Sequence, residues 1–218
     1  MEKWIKVDFH CHTSYSPDSL NRLPQLLNRA KLRGLDRLVI TDHNRLDGAL
    51  AARDMDPEFV IMGEEILTTR GELLAAYVQE EIPRDLPPQK VIELLRQQGA
   101  FISVSHPFDP QRGWDIEDLL DIVDQVDAVE IYNARCLSNI YNLMATEFAQ
   151  AHGLGGTVGS DSHTPMEVGK VGLELPVFQD AEGLKSVIRS GKVLGKLSPP
   201  WVHVLSGTKH KIWKILKS

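Results

Sequence analysis

The sequence predicts an α/β fold, a distorted seven-stranded (β/α) barrel, and three observations carry that expectation. Short apolar runs alternate with amphipathic, helix-length segments along the chain, the rhythm of strands paired through helical crossovers. Several runs are apolar without alternation, as in Leu38-Val39-Ile40 and Phe101-Ile102-Ser103-Val104, which suits strands buried on both faces of a parallel sheet. Histidines and carboxylates recur directly after the runs, and in parallel barrels active sites form at the C-terminal ends of the strands. About seven such runs is one short of the usual eight, so the barrel is expected to be incomplete or distorted.

The first strand is read at 5–10, followed by a helix at 23–33 that stops at Gly34. A second strand at 37–41 leads to a helix at 47–54. Strands at 59–66 and 73–78 are joined only by Leu67-Thr68-Thr69-Arg70-Gly71-Glu72, too short for a helical crossover, so they are expected to pair antiparallel. A helix at 88–98 stops at Gly99, before a strand at 100–105. Next come a helix at 116–123, a strand at 128–132, a helix at 138–152 stopped by Gly153, and a strand at 156–159. A helix at 181–190 stops at Gly191, and a further strand is plausible near 193–197. The tail mixes basic residues with Ile212, Trp213 and Leu216 at helical spacing and reads as a terminal helix, about 203–217, packed on the barrel.

The chain has 218 residues, enough for one sizeable core, and it is read as a single domain spanning 1–218. Its net charge of -6 argues against a duplex nucleic acid partner, which needs a basic face. It does not argue against a small phosphorylated substrate, because bound metals supply positive charge locally. Only Cys11 and Cys136 are present, so no disulfide framework is expected. No run approaches the roughly 18 apolar residues of a membrane helix, and the N-terminus does not read as a signal peptide. No membrane association and a cytoplasmic location are therefore expected.

The chemistry lies in five short motifs: Asp8-Phe9-His10-Cys11-His12, Thr41-Asp42-His43, Gly63-Glu64-Glu65, Ser105-His106-Pro107 and Gly159-Ser160-Asp161-Ser162-His163. They contain five of the eight histidines, and imidazoles clustered with carboxylates suit Zn, Mn or Fe ions. Residues two apart on a strand share a face, so Asp8, His10 and His12 point together, and Glu64 faces away from Glu65 toward the surface or an outer layer. Glu65 is the natural bridging carboxylate. Asp8 and Asp42 suit an outer role, accepting the far ring N–H of a ligating histidine. His152 suits a helix end, and His203 and His210, outside every motif, read as surface or packing residues. Asn133 and Arg135 follow a strand on the same mouth and are read as substrate-binding, Arg135 as a phosphate fork; Lys170, Arg45, Arg70 and Arg112 are weaker candidates.

In this order and combination the motifs resemble the PHP (polymerase and histidinol phosphatase) family of metal-dependent phosphoesterases, over most of the chain. The resemblance implies a distorted seven-stranded barrel holding two or three divalent ions, usually Mn, Zn or Fe. Carried over by position, His10, His12, Glu65 and Asp161 bind the first ion, Glu65 and His106 the second, and Asp18, His43 and His163 the third. Two departures stand out. Pro17-Asp18-Ser19 lacks the usual glycine after the aspartate, and Glu72 stands where many relatives place a histidine ligand. An oxygen donor there favours harder ions such as Mn. The implied activity is hydrolysis of a small phosphate ester, a nucleotide or sugar phosphate, by a metal-activated hydroxide. His10, His12, Glu65, His106, Asp161 and His163 form its catalytic centre. The alternatives are a histidinol-phosphate phosphatase of the same family, an amidohydrolase, which usually adds a lysine ligand absent here, and a non-catalytic metal-binding sensor or interaction domain.

Overall fold

A computed structural model of the protein describes residues 3–206. Its strands are β1 (Trp4–Asp8), β2 (Arg37–Ile40), β3 (Val60–Leu67), β4 (Glu72–Ala76), β5 (Phe101–Val104), β6 (Ala128–Asn133), β7 (Gly155–Gly159), β8 (Val171–Pro176) and β9 (Lys192–Gly195). The helices are α1 (Leu23–Leu32), α2 (Asp47–Met55), α3 (Pro88–Gln97), α4 (Ile116–Leu120), α5 (Asn139–Ala151) and α6 (Ala181–Val187). Gly34, Gly99 and Gly153 follow their helices at positive φ, the left-handed conformation that closes a helix.

One sheet runs in the order β7-β6-β5-β4-β3-β2-β1-β8-β9. The helix-linked pairs β1–β2, β2–β3, β5–β6 and β6–β7 are parallel. The short Leu67-to-Glu72 connection makes β3–β4 antiparallel, and β4 also runs antiparallel to β5. The sheet nearly closes at its C-terminal mouth. Past the end of β1, Phe9 N–H donates to Val158 O (3.0 Å), Asp161 N–H donates to His10 O (2.8 Å), and Cys11 bridges Ser162 in parallel register. At the other mouth β8 pairs antiparallel with β1, with β9 outside it.

The architecture is the expected α/β barrel, with nine strands in the sheet instead of seven. The unforeseen strand is β8, Val-Gly-Leu-Glu-Leu-Pro, which lies beyond the last motif and wedges against the opening half of β1. The strand expected at 193–197 is β9, and it starts earlier. The terminal helix expected at about 203–217 falls mostly outside the described residues, which end in a helical turn over 202–206.

Through the central strands both sheet faces are buried, as the non-alternating runs require, while β9 at the edge is exposed. Leu38 and Ile40 of β2 pack toward α1 and α2 with Leu26, Leu27, Ala49 and Ala52, while Val39 faces Ile61, Phe101 and Val158 inside the barrel. No helix among the described residues is long and apolar enough to cross a membrane.

Candidate metal centre

The motifs arrive at one mouth because parallel strands all end there. His10 and His12 follow β1, His43 follows β2, His106 follows β5, and Asp161 and His163 follow β7. Glu65 lies near the end of β3. Glu72 opens β4, and because β4 runs backwards its first residue reaches the same mouth. Asp18 comes from the loop between β1 and α1.

The side chains converge closely. His10 Nε2 and His12 Nε2 lie 3.0 Å apart. They lie 3.2 Å from the two oxygens of Glu65 and 3.6 and 3.4 Å from Asp161 Oδ1. His106 Nε2 is 3.3 Å from both Glu65 Oε1 and Glu72 Oε2. His43 Nδ1 is 3.0 Å from Glu65 Oε2 and 4.0 Å from Glu72 Oε1. His163 Nε2 and His43 Nε2 flank Asp18 Oδ2 at 3.1 and 3.6 Å. The donors form three overlapping groups able to hold an ion: His10 with His12 and Asp161, His43 with Glu65 and Glu72, and His12 with His43 and His163.

These atoms fit cations. Ligand atoms about 2.1 Å from one tetrahedral ion sit about 3.4 Å from each other, the spacing seen here. Glu65 Oε2, Asp161 Oδ1 and His106 Nε2 are buried without a hydrogen bond, a costly arrangement for polar atoms with nothing to bind. The electrostatics agree. Burial alone would lower the pKa of His10, yet Glu65, Asp161 and Glu130 hold it well above the ordinary range. Glu65 and Asp18 likewise overcome burial at His43, and Asp18 does so at His163. Glu65 and Glu72 push His106 up to about 9 against burial and Arg112. The pocket of carboxylates demands positive charge.

Asp8 and Asp42 act through other groups, and neither accepts a ring N–H directly. Asp8 Oδ1 accepts the backbone N–H groups of His10 (3.2 Å) and Ser160 (2.9 Å). Asp42 accepts Thr13 N–H and the hydroxyls of Thr13 and Ser16, and Ser16 Oγ in turn sits 3.2 Å from His12 Nδ1. Gly48 is required beside it, since a Cβ there would lie 2.0 Å from Asp42 Oδ2.

A cavity of about 790 Å³ opens over the cluster, walled by Leu67, Leu137, Pro200, Arg112, Arg135 and His203. Arg135 lines it, but its guanidinium is already engaged by His163 Nδ1 (2.6 Å), Ser206 Oγ (2.7 Å) and Glu167 Oε1 (3.2 Å). Asn133 is fully buried beneath the site and donates to Glu130 Oε2 (3.0 Å) and Asp161 Oδ2 (3.2 Å). Arg112, about one-third exposed, donates to Asp161 Oδ2 at 2.8 Å and faces the cavity. Lys170, Arg45 and Arg70 stay off the wall, and Arg70 pairs with Asp118 and Asp121. His203, expected to be a tail residue, is part of the wall, its Nε2 3.0 Å from Arg135 O. Glu64 is buried, not at the surface, and accepts Ile82 N–H at 3.1 Å.

The sequence reading missed Glu130 and Glu167. Both are buried, and both hold groups of the cluster: Glu130 contacts His10 Nδ1 at 2.9 Å, and Glu167 accepts the N–H groups of His163 (3.2 Å) and Thr164 (2.8 Å). For Glu130 the signal was present: a lone carboxylate inside the apolar strand Ala-Val-Glu-Ile-Tyr.

A barrel with imidazoles and carboxylates crowded at its C-terminal mouth defines a class of metal-dependent hydrolase scaffolds. Residues 8–106 match the PHP domain family and residues 139–193 the PHP-associated family. The chain is 33% identical over 154 residues to the uncharacterised protein MJ1587 of Methanocaldococcus jannaschii, covering 65% of this chain and 89% of that one. It is 35% identical over 171 residues to MJ0417 of the same organism, covering 76% and 68%. It belongs to the PHP-domain family. Among solved structures, PsfC from Pseudomonas syringae PB-5123 superimposes with a TM-score of 0.73 at 20% identity, covering 96% of this chain and 99% of that one. A structure assigned as a metal-dependent phosphoesterase from Bifidobacterium adolescentis gives 0.60 at 18% identity, covering 72% and 87%. The lesion-specific endonuclease PfuEndoQ from Pyrococcus furiosus gives 0.60 at 17%, and the chain spans 60% of its length.

Proposed function

We propose that the protein is a metal-dependent phosphoesterase that hydrolyses a small phosphate ester, a nucleotide or sugar phosphate. The observation that carries this reading is the convergence of five histidines with Asp18, Glu65, Glu72 and Asp161 on the floor of a cavity that also holds Arg112. His10, His12, Glu65 and Asp161 would hold one ion; Glu65, His106 and Glu72 a second; and Asp18, His43 and His163 a third. Bound divalent ions, Mn, Zn or Fe, supply Lewis acidity and lower the pKa of water near neutral pH.

The chain's own groups do the rest. Arg112 is anchored on Asp161 and presents its guanidinium to the cavity, where it neutralises phosphate charge. Arg135 is held by Glu167 and Ser206, so it is not free to fork a phosphate. Leu67, Leu137 and Pro200 receive the organic part of the ester. The cavity is far larger than a phosphate group and within the range of small-molecule sites. The net charge of -6 favours a small substrate over duplex DNA.

The test is hydrolysis of an aryl phosphate monoester and a diester by chelator-stripped protein with Mn, Zn, Fe or Mg restored. Metal-dependent turnover that disappears in His12→Ala is expected. Ions bound without turnover of any phosphate ester would sink the catalytic reading in favour of a metal-stabilised sensor domain.

A further inference from the structure

We infer that Glu130 is a positioning residue for the metal centre: one buried carboxyl on β6 sets the tautomer of His10 and aligns His106 and Asp161. The inference rests on the metal-centre reading above. Glu130 is 1% exposed and both of its oxygens are used. Oε1 meets His10 Nδ1 at 2.9 Å. Oε2 accepts the backbone N–H of His106 at 2.8 Å and the Asn133 amide at 3.0 Å. That Asn133 nitrogen also donates to Asp161 Oδ2 at 3.2 Å.

Each contact constrains a donor to the ions. A carboxyl oxygen on His10 Nδ1 keeps the ring proton there and leaves the Nε2 lone pair facing His12 Nε2, Glu65 and Asp161. His106 sits at φ 22°, a conformation unfavourable for a non-glycine residue, and its N–H is fixed by Oε2. Asp161, at φ 48°, is tied in through Asn133. The backbone is shaped to admit this carboxyl, since a Cβ on Gly159 would lie 2.3 Å from Glu130 Oε1 and 2.2 Å from His10 Cβ.

Glu130→Gln separates charge and tautomer from volume. Its amide has one acceptor oxygen, and two donors, His106 N–H and Asn133, compete for it at the Oε2 position. The amide NH₂ then faces His10 Nδ1 and forces that nitrogen to accept, which moves the ring proton to Nε2 and removes a ligand.

The experiment titrates chelator-stripped wild-type and E130Q proteins with Zn²⁺ against a chromophoric chelator, and with Co²⁺ read by its visible absorption. The expected result is a 10- to 100-fold weaker affinity and an altered Co²⁺ spectrum in E130Q, with metal-free Tm within about 4 °C of wild type. Equal affinities and identical spectra would overturn the positioning role and leave the metal centre standing. A wild-type protein that binds neither ion would overturn the metal-centre reading, and this inference with it. If E130Q does not fold, E130D decides, because it keeps two acceptor oxygens on a stem one methylene shorter. A comparable loss of affinity in folded E130D supports the role, and undiminished affinity overturns it.

Discussion

Glu64→Gln should remove a pH-dependent weakness from the fold. Glu64 lies in β3 beside Glu65 but points the other way, fully buried, with Oε2 accepting Ile82 N–H and Oε1 without a partner. Burial, with a smaller contribution from Glu81, pushes its pKa from the ordinary 4.5 up to about 8. Between those two values the folded protein keeps a proton that the unfolded chain has lost, so stability falls as pH rises from about 4.5 to about 8 and is level above. At about 1.4 kcal/mol per pH unit that interval amounts to at most about 4 to 5 kcal/mol, and structural relaxation reduces it. The Gln variant keeps an acceptor for Ile82 and never ionises. The assay is urea unfolding of both proteins in chelator from pH 5 to 9. The difference in unfolding free energy should shift in favour of the variant by a few kcal/mol across that range. A difference that stays flat from pH 5 to 9 would refute the reasoning, because it would mean Glu64 ionises equally in both states.

Arg112→Ala should raise KM for the phosphate ester 10- to 100-fold, the loss of about 1.5 to 3 kcal/mol for a hydrogen bond to a charged group, and Arg112→Lys should recover only part of it because the fork is gone; steady-state kinetics on the metal-restored protein checks both. Chelation should lower Tm by roughly 5 to 10 °C, since an ion at 100 times its Kd contributes about 2.7 kcal/mol; an unchanged melting curve would count against ions held by the folded centre. Glu72→His exchanges an oxygen donor 3.3 Å from His106 Nε2 for nitrogen, and competition titrations should show the ratio of Zn to Mn affinity rising at least several-fold.

The fold was legible where local chemistry decides it. Gly34, Gly99 and Gly153 sit at positive φ after their helices, and the four residues between β3 and β4 allow only a reversal, so these features follow from short stretches of chain. The sequence did not announce β8, because its pairing with β1 joins residues about 170 positions apart and its pattern holds two glycine- or proline-weakened positions. The site divides in the same way. His10, His12, His43, Glu65, His106, Asp161 and His163 are brought within ion-binding distance of neighbouring donors. Glu130 and Glu167 carry no motif of their own: Glu130 meets its partners only once β6 is folded against the residues that follow β1 and β5, and Glu167 sits four residues past His163, where its carboxylate closes a local turn on the His163 and Thr164 N–H groups. Arg135 looked like a free phosphate fork because nothing in its own segment reveals the buried Glu167 and Ser206 that occupy it.

The distribution of strain gives the centre a physical rationale independent of any relative. Three of the five described non-glycine residues at positive φ, Asn44, His106 and Asp161, lie in or beside the cluster, and such conformations cost of order 1 to 3 kcal/mol each. Of these, His106 and Asp161, with Glu65 beside them, also bury imidazole and carboxyl atoms that have no hydrogen bond. Elsewhere the barrel is regular: strand pairs keep their registers, with one shift in β6 between Glu130 and Tyr132. That irregularity falls directly after Glu130, the strand residue whose carboxyl reaches into the centre. A sequence free to relieve these costs would have placed apolar residues at the mouth, as it did along the barrel interior with Val39, Ile61 and Phe101. Strain and unpartnered donors concentrated at this mouth, on a scaffold whose strand pairs are regular, are the arrangement in which bound cations would satisfy the orphaned donor atoms, and the packed core supplies the stability that holds those donors together until they bind.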